Sequence, residues 1–101
     1  MELTDAHVLI TGASRGIGAA TAKEFADAGA RLTLAARDRA RLETVAEPIG
    51  AAVVPVDLTD AAARGELITD AVAANGPVDV LVNNAGVDES GAFWEMDQES
   101  I

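Results

Sequence analysis

Short apolar runs separated by polar and turn-forming residues recur along this chain, and their alternation predicts its elements. Four runs, His7–Thr11, Arg31–Ala36, residues 51–56 and residues 78–83, are rich in Val, Leu or Ile and bounded by Gly, Pro, Asp or Asn. Strands buried on both faces read this way. Between them, apolar positions at helical spacing predict three helices. The first covers residues 15–28, with Ile17, Thr21 and Phe25 on one face and Gly29 as its stop. The second covers residues 39–49, with Asp38 as N-cap, Leu42, Val45 and Ile49 facing the sheet, and Gly50 closing it. The third begins at Thr59 or Asp60, turns Leu67, Ile68, Ala71 and Val72 inward, and stops at Asn75-Gly76-Pro77. Gly65 in its interior costs about 1 kcal/mol relative to alanine, with no reason visible in the sequence. Residues 87–91 read as a loop and residues 92–101 as the beginning of another helix. Alternating strands and helices indicate one α/β domain, a parallel sheet covered by helices, over residues 1–101. There is no internal repeat, low-complexity tract or linker.

The first strand runs into Thr11-Gly12-Ala13-Ser14-Arg15-Gly16-Ile17-Gly18, so three glycines stand where a strand becomes a helix. Gly12 permits a tight turn, Gly16 lets backbone approach a pyrophosphate, and Gly18 lets the helix pack closely on its strand. Amides of the first helical turn then point at the anion. A glycine-rich turn is otherwise a flexible connection, and the flanking strand and helix favour the phosphate.

Three residues separate Gly12 from Gly16, where the commoner dinucleotide fingerprint has one. This Thr-Gly-x-x-x-Gly-x-Gly pattern resembles the short-chain dehydrogenase/reductase family. Asp57-Leu58-Thr59 after the third strand and Asn83-Asn84-Ala85-Gly86 after the fourth agree with it in order, so the resemblance covers essentially the whole chain. It implies a Rossmann-like doubly wound sheet in the order 3-2-1-4, with right-handed crossovers. It also implies hydride transfer between a nicotinamide cofactor and a carbonyl or alcohol. The family's catalytic Ser, its Tyr-x-x-x-Lys pair and a helical Asn would lie beyond Gly86. The chain has no tyrosine, and its one lysine is Lys23 in the first helix. The expectation is therefore the cofactor-binding portion of an oxidoreductase, with no catalytic residue of its own. The alternative is a non-catalytic NADP(H)-binding module, or a half-domain completed by another polypeptide.

The resemblance also places cofactor-binding residues: Gly12, Ser14, Arg15, Gly16, Ile17, Gly18, Arg37, Asp57, Leu58, Asn83, Ala85 and Gly86. Ala36 stands at the end of the second strand, where NAD-preferring relatives carry an acid for the ribose hydroxyls. Arg37 follows it and Arg15 lies in the glycine turn, so two guanidinium groups converge on a 2′-phosphate, and NADP(H) is expected over NAD(H). Taken singly, Arg37 also reads as a surface arginine paired with Asp38, and Arg15 as a solvated loop charge. Asp57 accepts from the adenine amino group on the family pattern, with Leu58 lining the pocket, or serves as a helix N-terminal acid. On the same family pattern, Asn83 and Asn84 would tie strands together and line the cofactor ribose, and Ala85 and Gly86 are small where bulk would collide with it. A strand-ending turn predicts the same small residues.

Charge and composition narrow the partners. A net charge of -10 opposes nucleic acid and anionic membranes, and the basic cluster of Arg31, Arg37, Arg39 and Arg41 suits one anionic ligand near the N-terminal half. No apolar stretch approaches the ~20 residues of a membrane span. The N-terminus lacks signal-peptide features and there is no cysteine, so a cytoplasmic protein is expected. His7, the only histidine, starts the first strand, at the end opposite the ligand crevice, which argues against catalysis. Ser14 has no neighbouring histidine for a hydrolase triad. The acids lack metal-ligand spacing, and no Gly-Lys-Ser or Gly-Lys-Thr follows the glycines. A methyltransferase-like domain fares worse, because Ala36-Arg37 replaces the acid it would want. Phe93, Trp94 and Met96 form an apolar group among acids, and the fourth strand has an open edge, so homo-oligomerisation or self-association is expected.

Overall fold

The computed structural model describes residues 3–14, 16–57, 60–84 and 92–95, the last segment by its backbone alone. Strands β1 (His7–Thr11), β2 (Arg31–Ala36), β3 (Ala52–Pro55), β4 (Val80–Asn83) and β5 (Ala92–Glu95) form one sheet in the order β3-β2-β1-β4-β5. The first four are parallel, as expected, and β5 runs antiparallel to β4. Thr11 lies opposite Ala35 on one side and Asn83 on the other, and Ala36 lies opposite Pro55, so the four parallel strands end close to flush.

The helices α1 (Gly16–Asp27), α2 (Arg39–Ala46) and α3 (Ala61–Asn75) cover both faces of the sheet. Strand alternation sorts the core into two layers. Val8, Ile10, Leu32, Leu34, Val80 and Val82 pack on one side with Ala22 of α1 and with Leu42 and Ala46 of α2. Leu9, Ala35, Val56 and Val78 pack on the other with Leu67 and Ala71 of α3. Caps set the helix starts. Asp38 Oδ1 accepts from Arg41 N at 3.1 Å, and Asp60 Oδ1 accepts from Ala62 N and Ala63 N at 2.9 and 3.3 Å. Among the described residues, no helix is long and apolar enough to cross a membrane.

Several expectations are corrected. On α1 the buried residues are Gly18 and Ala22, with Phe25 and Ala26 half-buried, whereas Ile17 is 61% exposed. The helix is rotated by close contact of Gly18 with the preceding turn, and Ile17, one residue away, swings about 100° off that stripe. Val72 of α3 is likewise 40% exposed, because Leu67 and Ala71 define the inward stripe. The second helix stops as an α-helix at Ala46 and continues as a 3-10 turn over Glu47–Ile49, since Pro48 has no N–H to give to the previous turn. Residues 92–95 form a strand rather than the beginning of a helix, and that strand covers the β4 edge, so the open-edge argument for self-association falls away. The short connection over residues 84–91 suits an antiparallel return, because a parallel crossover needs a dozen residues or more.

Gly65 stands on the exposed side of α3, and a Cβ added there meets nothing within 4 Å. Gly65→Ala is therefore expected to stabilise the fold by about 0.4 to 1 kcal/mol, mainly by restricting the unfolded chain. Urea unfolding followed by circular dichroism checks this, and an unchanged or lower midpoint contradicts it.

Candidate functional site

The glycine turn leaves β1 at Thr11 and enters α1 at Gly16. Its geometry follows from three residues. Gly12 and Gly16 adopt φ of 65° and 59°, a left-handed backbone that glycine takes without steric cost. Gly18, buried in the first helical turn, lies so close to the turn that an added Cβ would sit 2.2 Å from Gly12 O and 2.9 Å from Ala13 Cα. Ala13 is fully buried beneath, and its N–H donates to Ala35 O at 3.4 Å, fastening the turn to β2. Around Gly16, by contrast, a Cβ would meet nothing within 4 Å, so the outer side of the turn is open. Ile17 is exposed beside it and Ser14 is half-buried. The start of α1 thus borders the open side of the turn, and a helix N-terminus favours an anion.

The other candidates gather at the same end of the sheet. Arg37 follows β2 and is exposed, and among the described residues it has no ion pair. The expected alternative partner, Asp38, is engaged by Arg41 at 3.6 Å, while Arg39 pairs with Glu43 at 3.2 Å. Ala36 is 8% exposed, and its carbonyl accepts from Val56 N at 2.9 Å, which draws the start of the next loop against β2. Asp57 is exposed just beyond β3. Asp60, three residues on, is the N-cap of α3. Arg15, Leu58, Ala85 and Gly86 lie outside the described residues.

Asn83 ends β4 directly opposite Thr11, and the tie between strands expected of this segment has Thr11 as its partner, which the motif alone did not name. Thr11 Oγ1 donates to Asn83 Oδ1 at 2.7 Å and accepts from Asn84 N at 3.1 Å. One hydroxyl therefore couples the origin of the glycine turn to the end of β4. Thr11 was visible as the first letter of the glycine motif, but its partner depends on register across two strands. The Asn84 Nδ2 group is buried and has no hydrogen-bond partner among the described residues. A buried amide left unpaired is costly, and an acceptor oxygen on a ligand would satisfy it. The open turn and this unmet donor fit a phosphorylated, hydroxyl-rich ligand.

His7 lies at the opposite end of β1 and is fully buried, away from all of these residues. Among the described residues, no cluster of His, Cys, Asp and Glu could hold a metal ion.

Comparison with known proteins identifies the family. The family model for short chain dehydrogenase matches residues 6–101. L-rhamnose 1-dehydrogenase (NAD(P)(+)) of Azotobacter vinelandii is 42% identical, over 98% of this chain and 42% of that protein. The 11-beta-hydroxysteroid dehydrogenase-like 2 protein of Arabidopsis thaliana is 39% identical, over 95% of this chain and 33% of its own length. Among solved structures, a metagenomic short-chain oxidoreductase in complex with NADP superposes with a TM-score of 0.79 and 42% identity, covering 86% of this chain and 42% of that one. The 3-ketoacyl-(acyl-carrier-protein) reductase of Brucella melitensis, complexed with NADH, gives 0.75 and 37%, covering 78% and 33%. The chain spans less than half the length of these relatives. With the glycine turn, the flush strand ends and the Thr11 to Asn83 tie in place, the match over residues 6–101 makes this chain a member of the short-chain dehydrogenase family.

Proposed function

We propose that this chain is the cofactor-binding portion of an NADP(H)-dependent oxidoreductase that interconverts a carbonyl and an alcohol. The observation that carries the choice of cofactor is the end of β2: a small, nearly buried Ala36 followed by an exposed Arg37 with no ion pair among the described residues. A guanidinium in that place offers two parallel donors to a phosphate, and Ala36 offers no carboxylate to repel it. The relatives do not choose between cofactors, since one is named for NAD(P)(+), one was solved with NADP and another with NADH.

When bound, the cofactor supplies the hydride. This chain's own residues hold and orient it. The glycine turn and the first amides of α1 receive the pyrophosphate, with Ser14 and Ile17 beside it. Arg37, together with Arg15, receives the 2′-phosphate. Asp57 and Leu58 border the adenine, and Asn83, Ala85 and Gly86 border the ribose. The proton relay and the substrate pocket belong to residues outside these 101. We place the protein in the cytoplasm on its lack of cysteine.

Fluorescence titration of the protein with NADPH and, separately, NADH tests the reading. Saturable NADPH binding with much weaker NADH binding is expected. Equal affinities would remove the cofactor assignment while leaving the family intact.

A further inference from the structure

The sheet has a second polar centre, at the end away from the glycine turn. His7, fully buried on β1, shares the α3 face of the sheet with Thr33, fully buried on β2. The imidazole Nδ1 lies 2.9 Å from Gly76 O, and Nε2 lies 2.8 Å from Thr33 Oγ1. Asn75, the last residue of α3, donates from Nδ2 to Thr33 Oγ1 and to Leu32 O, each at 3.0 Å. A carbonyl only accepts, so Nδ1 must carry the proton and neutral Nε2 must accept from the Thr33 hydroxyl. The bonds therefore run one way: Asn75 amide to Thr33 hydroxyl, hydroxyl to Nε2, Nδ1–H to the Gly76 carbonyl. Both ends of this chain of bonds rest on the end of α3.

We propose that this ring of His7, Thr33, Asn75 and Gly76 is a proton-sensitive latch that holds the end of α3 against β1 and β2 while the imidazole is neutral and releases it on protonation. A second proton on Nε2 would turn that nitrogen into a donor, reverse the Thr33 contact and strip the hydroxyl hydrogen of its acceptor. It would also place a charge among fully buried groups. The charged groups near the ring come from every element around it. Arg31 at the start of β2 donates to Asp5 O at 3.0 Å and also to Asn75 O, and its charge opposes protonation of His7. Asp79, leading into β4, accepts from His7 N at 2.9 Å and favours protonation. Asn75, Gly76 and Pro77 carry no charge. Burial is the strongest influence, and it holds the imidazole below its ordinary 6.5.

The sign follows. The unfolded chain takes up its proton near 6.5 and the folded chain only at lower pH, so stability is complete above that value and falls as pH drops below it. Between the two values the folding equilibrium constant falls by up to about tenfold per pH unit, then levels off.

Because His7 is the only histidine, its ring resonances in a nitrogen-edited NMR titration need no assignment by mutation. The expected spectrum shows an Nδ1–H tautomer at neutral pH and a titration below 6.5, with amides at the end of α3 losing exchange protection over the same range. His7→Gln, which does not titrate, is expected to flatten the loss of stability between about pH 7.5 and about pH 5.5. Titration at or above the ordinary value with the α3 amides still protected would overturn the latch. An unchanged pH profile in His7→Gln would do so as well. If that variant fails to fold, the wild-type titration and exchange decide alone.

Discussion

Gly18→Ala is expected to cost about 3 kcal/mol or more and to abolish cofactor binding with it. The new methyl would stand 2.2 Å from Gly12 O and 2.9 Å from Ala13 Cα and Gly12 C, all of them backbone atoms. A flexible side chain can turn away from such a contact, but these atoms cannot. The carbonyl belongs to a turn whose next residue, Ala13, is fully buried and bonded to β2. The helix would have to lift more than an ångström from its strand to reach ordinary contact, opening the layer that Ala22, Leu42 and Val82 fill. Overpacking typically costs about 1 to 3 kcal/mol even where neighbours can yield, and domains of this kind have about 5 to 15 kcal/mol in total. Gly16→Ala provides the contrast: its methyl would meet nothing within 4 Å, and only the left-handed backbone at φ 59° resists it. That strain costs about 1 to 2 kcal/mol. Urea denaturation of the two variants should rank Gly18→Ala well below Gly16→Ala. A Gly18→Ala variant within 1 kcal/mol of the parent would contradict the close approach.

Arg37→Ala is expected to weaken NADPH about 10- to 100-fold while leaving NADH nearly unchanged. A hydrogen bond to a charged partner contributes about 1.5 to 3 kcal/mol, and each 1.4 kcal/mol is about tenfold in affinity. The residue is exposed and without an ion pair among the described residues, so the variant should keep its fold and its melting temperature. That separates lost recognition from lost structure. Raising the salt concentration should reduce the parent's preference in the same direction, because a partly exposed charge pair is screened. Should the ratio of the two affinities stay the same in Arg37→Ala, another group reads the phosphate or none does.

The parts of this fold that were legible share a cause. β1 and β2 occupy His7–Thr11 and Arg31–Ala36 as their apolar runs indicated, because a strand flanked on both sides must be apolar on both faces. The glycine turn and the strand ends were legible because the spacing of small residues and the terminal Asp and Asn are local signals. The phase of α1 was not. Periodicity pointed to Ile17, Thr21 and Phe25, but the residue that sets the rotation is Gly18, which carries no hydrophobic signal and acts through the absence of a side chain. β4 is shorter than its run because Val78 and Asp79 precede its ladder, which begins with Val80 opposite Val8. Residues 92–95 were misread for a related reason: whether a short segment becomes a strand depends on a free edge to receive it, and that edge is a property of the assembled sheet. The Thr11 to Asn83 bond and the His7 ring join residues tens of positions apart, and their partners follow from register rather than from any neighbouring pattern.

The Thr11 hydroxyl has one hydrogen, and it is given to the Asn83 side-chain oxygen. That bond takes one of the oxygen's two lone pairs and holds the Asn83 amide against the start of the glycine turn. Asn84 Nδ2, without a partner among the described residues, can only donate. The end of β4 therefore keeps one buried hydrogen-bearing group in want of a lone pair. An ether, hydroxyl, carbonyl or phosphate oxygen would satisfy that group, and an ammonium, which has only hydrogens to give, would not.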